Sequence, residues 1–339
     1  MGAMKKRNII LLVLVLLLGA GLGIFVWQTQ RAVDSEVVEG AGTSLHADHS
    51  AEYIDYNGQQ VPVKRRMSSV LLIGTDNYAE TADDVVASGN YNYQFADFVG
   101  ILVFDHDKKT VTPFQINRDT VCKVPWLNSK GKMEGYSMMQ ITYAHTFGQG
   151  KEDSCENTVQ AARWLLYNAP VDRYMAFTMD AVPVMNDMVG GVTVTLEDTI
   201  PSLGEEFVKG AAVTLKGSKA LQFVRHRGTG VESNVVRMAH QRLYLAAFTE
   251  AARASAAKNQ DLAVDAFKAL NPFLCTNLTV NNMSEMVEDL CNYEILPVVT
   301  SEGTYTKNDR FDSGIEHAEF TVDEASLWDC VFKAFCREE

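Results

Sequence analysis

An apolar run near the N-terminus constrains this chain more than any other feature of its sequence. Residues Ile9 to Trp27 are nineteen positions without a charged side chain, rich in Leu, Ile and Val. A helix needs roughly 20 apolar residues, at ~1.5 Å of rise each, to span a bilayer. Basic residues precede the run, from Lys5 to Arg7, and acidic residues follow it. Because basic flanks stay cytoplasmic, we predict a cytoplasmic tail at 1–7, a transmembrane anchor at 8–27 and an extracytoplasmic remainder.

A cleaved signal peptide is the alternative for the same run. Its apolar region is usually about 7–15 residues long and ends at a cleavage site of small residues. The segment Gln28-Thr29-Gln30-Arg31 supplies no such site. We therefore favour a retained anchor, which makes this a single-pass protein of the cell membrane.

The charge of the chain argues against one class of partner. Its 339 residues include 30 basic and 43 acidic side chains, a formal net charge of −13. Nucleic-acid binding normally depends on Lys and Arg side chains that neutralise phosphates, and a domain outside the membrane does not reach the chromosome. We predict no nucleic-acid partner, and we expect any anionic ligand to bind at a local basic cluster.

The chain has six cysteines, an even number that permits three disulfides in an exported domain. Cys330 and Cys336 are the closest in sequence, so we predict them as the local pair. Zinc binding is disfavoured because no two cysteines have the C-x₂₋₄-C spacing and no histidines lie close to them.

The order of predicted elements indicates an α/β fold. Residues 28–67 are typical of an extracytoplasmic stalk, with one hairpin around Asn57-Gly58. Residues 68–339 then alternate short apolar runs, typical of buried strands, with segments of helical periodicity. Helices are predicted over Met138–Phe147, Thr158–Tyr167, Gly217–Phe223, Val236–Ala257 and Asp323–Phe335. We therefore predict one domain with a mixed central β-sheet flanked by helices.

Four arginines are candidates for binding an anion. Arg225 and Arg227 are two residues apart, so in an extended segment both side chains leave the same face. Arg237 lies near the start of the long predicted helix, one turn before Gln241 on the same face. Arg118 follows a predicted strand, and strand ends in α/β folds often line ligand crevices. The simpler interpretation is that each arginine forms an ordinary ion pair, but three within thirteen residues weaken it.

Two aspartates at strand boundaries complete the candidate site. Asp76 follows the first apolar run and Asp97 precedes the second. An aspartate at such a place often only caps a turn. Carboxylates beside arginines also suit a pyrophosphate with Mg²⁺, which binds one or two carboxylates together with phosphate oxygens. Such a set of groups is typical of phosphoryl transfer.

Six short motifs, taken in order, resemble those of the LytR-CpsA-Psr family, over about Ser68 to Phe248. They are Leu71-Leu72-Ile73-Gly74-Thr75-Asp76, Ala96-Asp97, Ile116-Asn117-Arg118-Asp119-Thr120, Val189-Gly190-Gly191-Val192, Ala220-Leu221-Gln222-Phe223-Val224-Arg225-His226-Arg227 and Arg237. The resemblance implies an α/β domain that is a Mg²⁺-dependent phosphotransferase. Such enzymes move a glycosyl-phosphate polymer, teichoic-acid-like or capsular, from a polyprenyl-pyrophosphate carrier onto peptidoglycan.

The resemblance also implies roles for individual residues. It makes Asp97 and Asp76 the carboxylates that bind metal or position the pyrophosphate. Asp119 either orients Arg118 or takes the acceptor proton, and Gln241 supports substrate binding beside Asn234. The pyrophosphate clamp consists of Arg118, Arg225, Arg227 and Arg237.

Three positions depart from the family pattern. Phe95 stands where a basic residue is usual, Asn234 where an aspartate is expected, and His240 where a basic residue is expected. Each change removes charge or makes it depend on pH. Two other functions therefore stay open: a hydrolase that releases the same lipid pyrophosphate to water, and a non-catalytic envelope protein that binds polyprenyl or polymer ligands.

Overall fold

A computed structural model describes residues 44–46, 51–76, 92, 94–128, 131–230, 232–256, 258–259, 265, 268–311 and 314–337. The predicted anchor and part of the predicted stalk lie outside them. In the portion described, no helix has the length and apolar character to cross a bilayer. The chain divides into two compact units. The sheet unit comprises Thr43–Met179, Leu274–Leu278 and Ile295–Glu339, and the helical unit comprises Asp180–Phe273 and Thr279–Glu294.

Strands and helices alternate along the described residues. The strands are β1 (Tyr53–Tyr56), β2 (Gln59–Pro62), β3 (Met67–Thr75), β4 (Ala96–Asp105), β5 (Thr110–Ile116), β6 (Val121–Leu127), β7 (Met133–Gln140), β8 (Arg173–Thr178), β9 (Val192–Thr195), β10 (Ala212–Leu215), β11 (Leu274–Thr276), β12 (Glu294–Ile295), β13 (Gly303–Asn308) and β14 (His317–Val322). The α-helices are α1 (Glu152–Leu165), α2 (Ala181–Met188), α3 (Ser218–Arg225), α4 (Ser233–Ala256), α5 (Val280–Asn292) and α6 (Glu324–Phe335).

The sheet unit is built on a mixed sheet with strand order β11-β8-β3-β4-β5-β12. Strands β3, β4 and β5 pair antiparallel in sequence, and β8 pairs parallel with β3. Nearly every residue of β3 and β4 is buried, as expected of continuous apolar runs in the middle of a sheet. The predicted α/β fold with a mixed sheet is confirmed.

The hairpin predicted around Asn57-Gly58 is present as β1 and β2. Both turn residues have positive φ, 54° and 81°, as a two-residue hairpin turn of this type requires. Ile54 and Val63 are buried in the main apolar core, and Val63 forms a bridge with Cys336. The folded unit therefore begins N-terminal to Ser68, within the segment predicted as stalk, because the hairpin buries apolar side chains there.

The prediction of a helix over Met138–Phe147 is wrong. Met138 lies in β7 and pairs with Lys123 of β6, and a 3₁₀ helix follows over Ile141–Thr146. A short apolar run fits either a strand or a helix by periodicity, and only the partner strand decides between them. The helices predicted near α3, α4 and α6 are confirmed to within three residues, and α1 is confirmed but begins six residues earlier than predicted.

The helical unit contains a β-hairpin and four of the described α-helices. Strands β9 and β10 pair antiparallel, and Gly190 and Gly191 precede β9 with φ values of 81° and 97°. Glycine is favoured there because side chains rarely adopt positive φ. Arg225 is the last residue of α3, so the prediction that Arg225 and Arg227 share one extended segment is wrong.

The cysteines do not form the predicted pair. Among the cysteine side chains that the structure describes, Cys330 and Cys336 are both free thiols. Cys155 of α1 and Cys275 of β11 are also free, and their side chains hydrogen-bond to one another. That hydrogen bond lowers the pKa of the Cys275 thiol, whereas burial raises the pKa of Cys122 to about 12.

We expect Cys275 to be alkylated much faster than Cys122. The thiolate is the reactive form, and Cys275 is half-buried with a lowered pKa whereas Cys122 is buried with a raised one. Iodoacetamide at pH 8 followed by peptide mass spectrometry measures both sites, and urea-unfolded protein provides the control. Equal labelling of Cys122 and Cys275 in the folded protein would contradict this expectation.

Candidate functional site

A tight turn after β5 presents the first group of site residues. The Thr120 backbone N–H donates to the Asn117 carbonyl at 3.0 Å. The Asp119 backbone N–H donates to Asn117 Oδ1, also at 3.0 Å. An asparagine that accepts from the backbone two residues on is a common way to form such a turn. Arg118 and Asp119 are therefore held at the end of a core strand.

Arg118 lies between two carboxylates. Its Nη1 contacts Asp97 Oδ1, and its Nε donates to Asp119 Oδ1 at 3.3 Å. The pairing of β4 with β5 explains the first contact, because Val99 lies opposite Ile116 and the same register places Asp97 opposite Arg118 two positions further along. The Asp97 and Arg118 side chains are only 4% and 15% exposed. Charge-assisted bonds of this kind fix the direction of a guanidinium.

Asp76 lies at the same end of the sheet. Thr75 of β3 is opposite Ala96 of β4, and the Asp76 backbone N–H donates to the Phe95 carbonyl at 3.3 Å. The register shifts between Gly74 and Thr75, so Asp97 is the extra residue of a β-bulge beside this pair. The carboxylate oxygens of Asp76 and Asp97 are the ligand type that Mg²⁺ prefers. The donor set therefore fits this ion.

Two aromatic side chains, Phe95 and Tyr143, pack together in the sheet unit. Phe95 packs edge-to-face on Tyr143, with ring centroids 5.2 Å apart. Burial raises the pKa of Tyr143, and the charges of Arg118 and Asp119 also act on it. Phe95 thus has an aromatic partner where the family has a basic residue.

Tyr305 is a site residue that the sequence did not reveal. It lies in β13, and its hydroxyl accepts from Asn117 Nδ2 at 2.7 Å and donates to Asp119 Oδ2 at 3.4 Å. No local pattern identifies it, because it is 186 residues away from Asp119 in the chain.

The helical unit holds the second group. Arg225 and Arg227 are exposed at the end of α3. Arg237 of α4 is only 1% exposed, and its Nε donates to Asn234 Oδ1 at 2.9 Å. Asn234 thus accepts a hydrogen bond from the buried guanidinium without adding the negative charge that aspartate would bring.

Gln241 lies one turn after Arg237 and is 5% exposed. Its Nε2 has no hydrogen-bond partner among the residues that the structure describes. An unsatisfied buried donor costs about 1–3 kcal/mol, so such groups often serve a ligand. His240 contacts Asp198 through Nε2 at 3.1 Å. An amide donor one turn from a buried arginine is suited to an anionic oxygen.

The structure brings the predicted residues together in two sets. Asp97, Arg118 and Asp119 form one hydrogen-bonded set in the sheet unit, and Asp76 lies at the same strand ends. Asn234, Arg237 and Gln241 cluster at the start of α4 in the helical unit. The catalytic and binding roles assigned to these residues stay predictions.

The fold is therefore a mixed-sheet α/β domain in which arginine and carboxylate side chains meet at the strand ends. The LytR_cpsA_psr family model matches residues 30–326. Because that match covers most of the 339 residues, this chain belongs to the LytR-CpsA-Psr family.

Named relatives agree with this assignment. The chain is 27% identical over 248 residues to the polyisoprenyl-teichoic acid–peptidoglycan teichoic acid transferase TagU of Oceanobacillus iheyensis, covering 72% of this chain and 68% of TagU. Its fold resembles the crystal structure of TagV from B. subtilis, with a TM-score of 0.59, 19% identity, and 79% and 95% of the two chains covered. It also resembles TagT bound to LI-WTA, with a TM-score of 0.56, 18% identity, and 85% and 98% covered.

Proposed function

We propose that this protein transfers a glycosyl-phosphate polymer, teichoic-acid-like or capsular, from a polyprenyl-pyrophosphate carrier to peptidoglycan. The observation that carries the proposal is the position of the Arg118 guanidinium. It is held between Asp97 and Asp119 at the strand ends of the sheet unit. Family membership and the transferase name of the TagU relative support the same reaction class.

The charge that develops during the reaction suits these residues. The acceptor hydroxyl of peptidoglycan forms a new P–O bond to the phosphorus that carries the sugar, while the bond to the polyprenyl phosphate breaks. The hydroxyl proton leaves with the departing phosphate or to water. Negative charge accumulates on the departing phosphate, and preorganised arginines stabilise that charge better than water does. Arginine suits this role because its planar fork binds two phosphate oxygens at once.

Mg²⁺ dependence is part of the proposal. Asp97, Arg118 and Asp119 together carry more negative than positive charge, so they would repel a pyrophosphate unless a cation were added. Asp76 and Asp97 would hold Mg²⁺, which supplies positive charge to the pyrophosphate oxygens. Within the helical unit, Arg225, Arg227 and Arg237 are the proposed phosphate-binding arginines, with Asn234 and Gln241 as supporting donors and acceptors.

The proposed location follows from residues 1–27. The predicted anchor at 8–27, with basic residues before it, would place the catalytic domain outside the membrane. A lipid-linked donor is then available in the same membrane, and peptidoglycan lies on the same side as the domain.

One assay tests the transfer reaction, its dependence on Mg²⁺ and the membrane orientation of the domain together. Right-side-out membrane vesicles carrying the full chain are loaded with a radiolabelled polyprenyl-pyrophosphate oligosaccharide, and peptidoglycan oligomers are added outside with Mg²⁺. We expect label on the glycan, and no transfer with EDTA or in inside-out vesicles, because the oligomers do not cross a bilayer. Label released only to water would support the hydrolase. Label that stays on the lipid would support a binding protein.

A further inference from the structure

The hydroxyl of Tyr305 joins the two residues that flank Arg118 in the chain. It accepts a hydrogen bond from Asn117 Nδ2 at 2.7 Å and donates one to Asp119 Oδ2 at 3.4 Å. Asp119 uses its other oxygen, Oδ1, to accept from Arg118 Nε at 3.3 Å. Both oxygens of the Asp119 carboxylate are thus engaged, one by Tyr305 and the other by Arg118.

The hairpin of β13 and β14 fixes Tyr305 in this position. Thr120 and Phe320 form a bridge, and the Phe320 backbone N–H donates to the Asp119 carbonyl at 2.8 Å. Tyr305 pairs with Phe320 across the hairpin, and their ring centroids are 5.0 Å apart. The same hairpin therefore holds Asp119 through its main chain and through its side chain.

We propose that Tyr305 is a positioning residue of the transfer reaction, holding the Asp119 carboxylate in the orientation that directs Arg118 toward the pyrophosphate. This proposal rests on the proposed function. It assigns Asp119 the role of orienting Arg118, because one carboxylate oxygen accepts from Arg118 Nε and the other accepts from the Tyr305 hydroxyl.

Replacing Tyr305 by Phe tests the proposal because it removes the hydroxyl and keeps the ring. We expect kcat to fall about 10-fold, since outer-shell partners that orient functional groups typically contribute 10–100-fold, while KM for peptidoglycan oligomers stays unchanged. Tyr136→Phe is the matched control, since Tyr136 is 54% exposed on β7. Equal kcat values for Tyr305→Phe and Tyr136→Phe would overturn the proposal.

A double-mutant cycle distinguishes a positioning role of Tyr305 from an effect that is independent of Asp119. If Tyr305 acts through Asp119, then Tyr305→Phe should lower kcat no further in an Asp119→Asn background. Independent sites would instead give additive losses. Additive effects in this cycle would show that Tyr305 does not act through Asp119.

A measurement that needs no transfer activity distinguishes failure of the Tyr305 proposal from failure of the proposed function. Nitrogen-15 NMR of the full chain follows hydrogen exchange at Arg118 Nε–H, with the signal assigned by its loss in Arg118→Lys. We expect exchange at least about 10-fold faster in Tyr305→Phe, because a freed carboxylate holds Nε–H less persistently. Unchanged exchange overturns the positioning proposal whatever the transfer assay gives. Faster exchange in a protein without transfer activity supports positioning and refutes the proposed function.

Discussion

Arg118→Met should abolish transfer and destabilise the fold, whereas Arg118→Met with Asp97→Asn should recover most of the stability. Asp97 has a side chain only 4% exposed and contacts Arg118 directly. Removing one partner of a buried ion pair typically costs about 3–5 kcal/mol, because the other charge stays buried. We expect about 3 kcal/mol for Arg118→Met, since Arg118 is partly exposed.

Urea unfolding followed by tryptophan fluorescence measures this effect. The matched control is Arg66→Met, which breaks the Arg66–Asp107 pair at 3.6 Å, where both side chains are about half exposed. An exposed pair contributes about 0–1 kcal/mol, so this control should stay near the wild type. A double variant no more stable than Arg118→Met would show that Asp97 and Arg118 are not energetically coupled.

The stability effect and the activity effect of Arg118 are separable in the double variant. If Arg118 binds the pyrophosphate, Arg118→Met with Asp97→Asn should fold and yet lack transfer, with kcat/KM at least about 1000-fold below the wild type. Transfer restored together with stability would mean that Arg118 serves the fold and not the reaction.

Arg225→Ala should lower kcat/KM for transfer about 100-fold with little change in the free energy of unfolding. Removing one preorganised donor to a developing charge typically costs about 10²–10³-fold in rate. Arg225 is exposed at the end of α3, and surface substitutions usually change stability by less than about 0.5 kcal/mol. Initial rates of label transfer and a urea curve on the same preparation measure both quantities.

Two further variants test whether the loss of activity in Arg225→Ala is specific to the guanidinium group. Lys209→Ala removes an exposed positive charge from the same unit and should leave kcat/KM unchanged. Arg225→Lys keeps the charge but loses the planar fork, so its kcat/KM should lie between those of the wild type and Arg225→Ala. Equal losses in Lys209→Ala and Arg225→Ala would indicate a general charge effect in place of a clamp.

The three departures from the family pattern have structural partners. Phe95 packs on Tyr143, Asn234 accepts from Arg237, and His240 contacts Asp198. Each of these side chains therefore contributes a specific contact at its own position.

Several features could be predicted from the sequence because they depend on local pattern. Continuous apolar runs identified β3 and β4, and helical periodicity identified α3 and α4. Arg118 was placed correctly at a strand end because the strand before it is apolar and the turn residues after it are polar. The β7 segment was misassigned because its partner β6 is not visible in a local window.

Local sequence pattern identified many of the strands and helices, their order and the residue types available for anion binding, since these depend on neighbours within a few positions. The contacts between distant side chains depend instead on tertiary structure. The β4–β5 register brings Asp97 to Arg118, and the C-terminal hairpin brings Tyr305 to Asp119 across 186 positions. Such contacts depend on strand register and hairpin packing, which bring together residues whose separation along the chain carries no local signal.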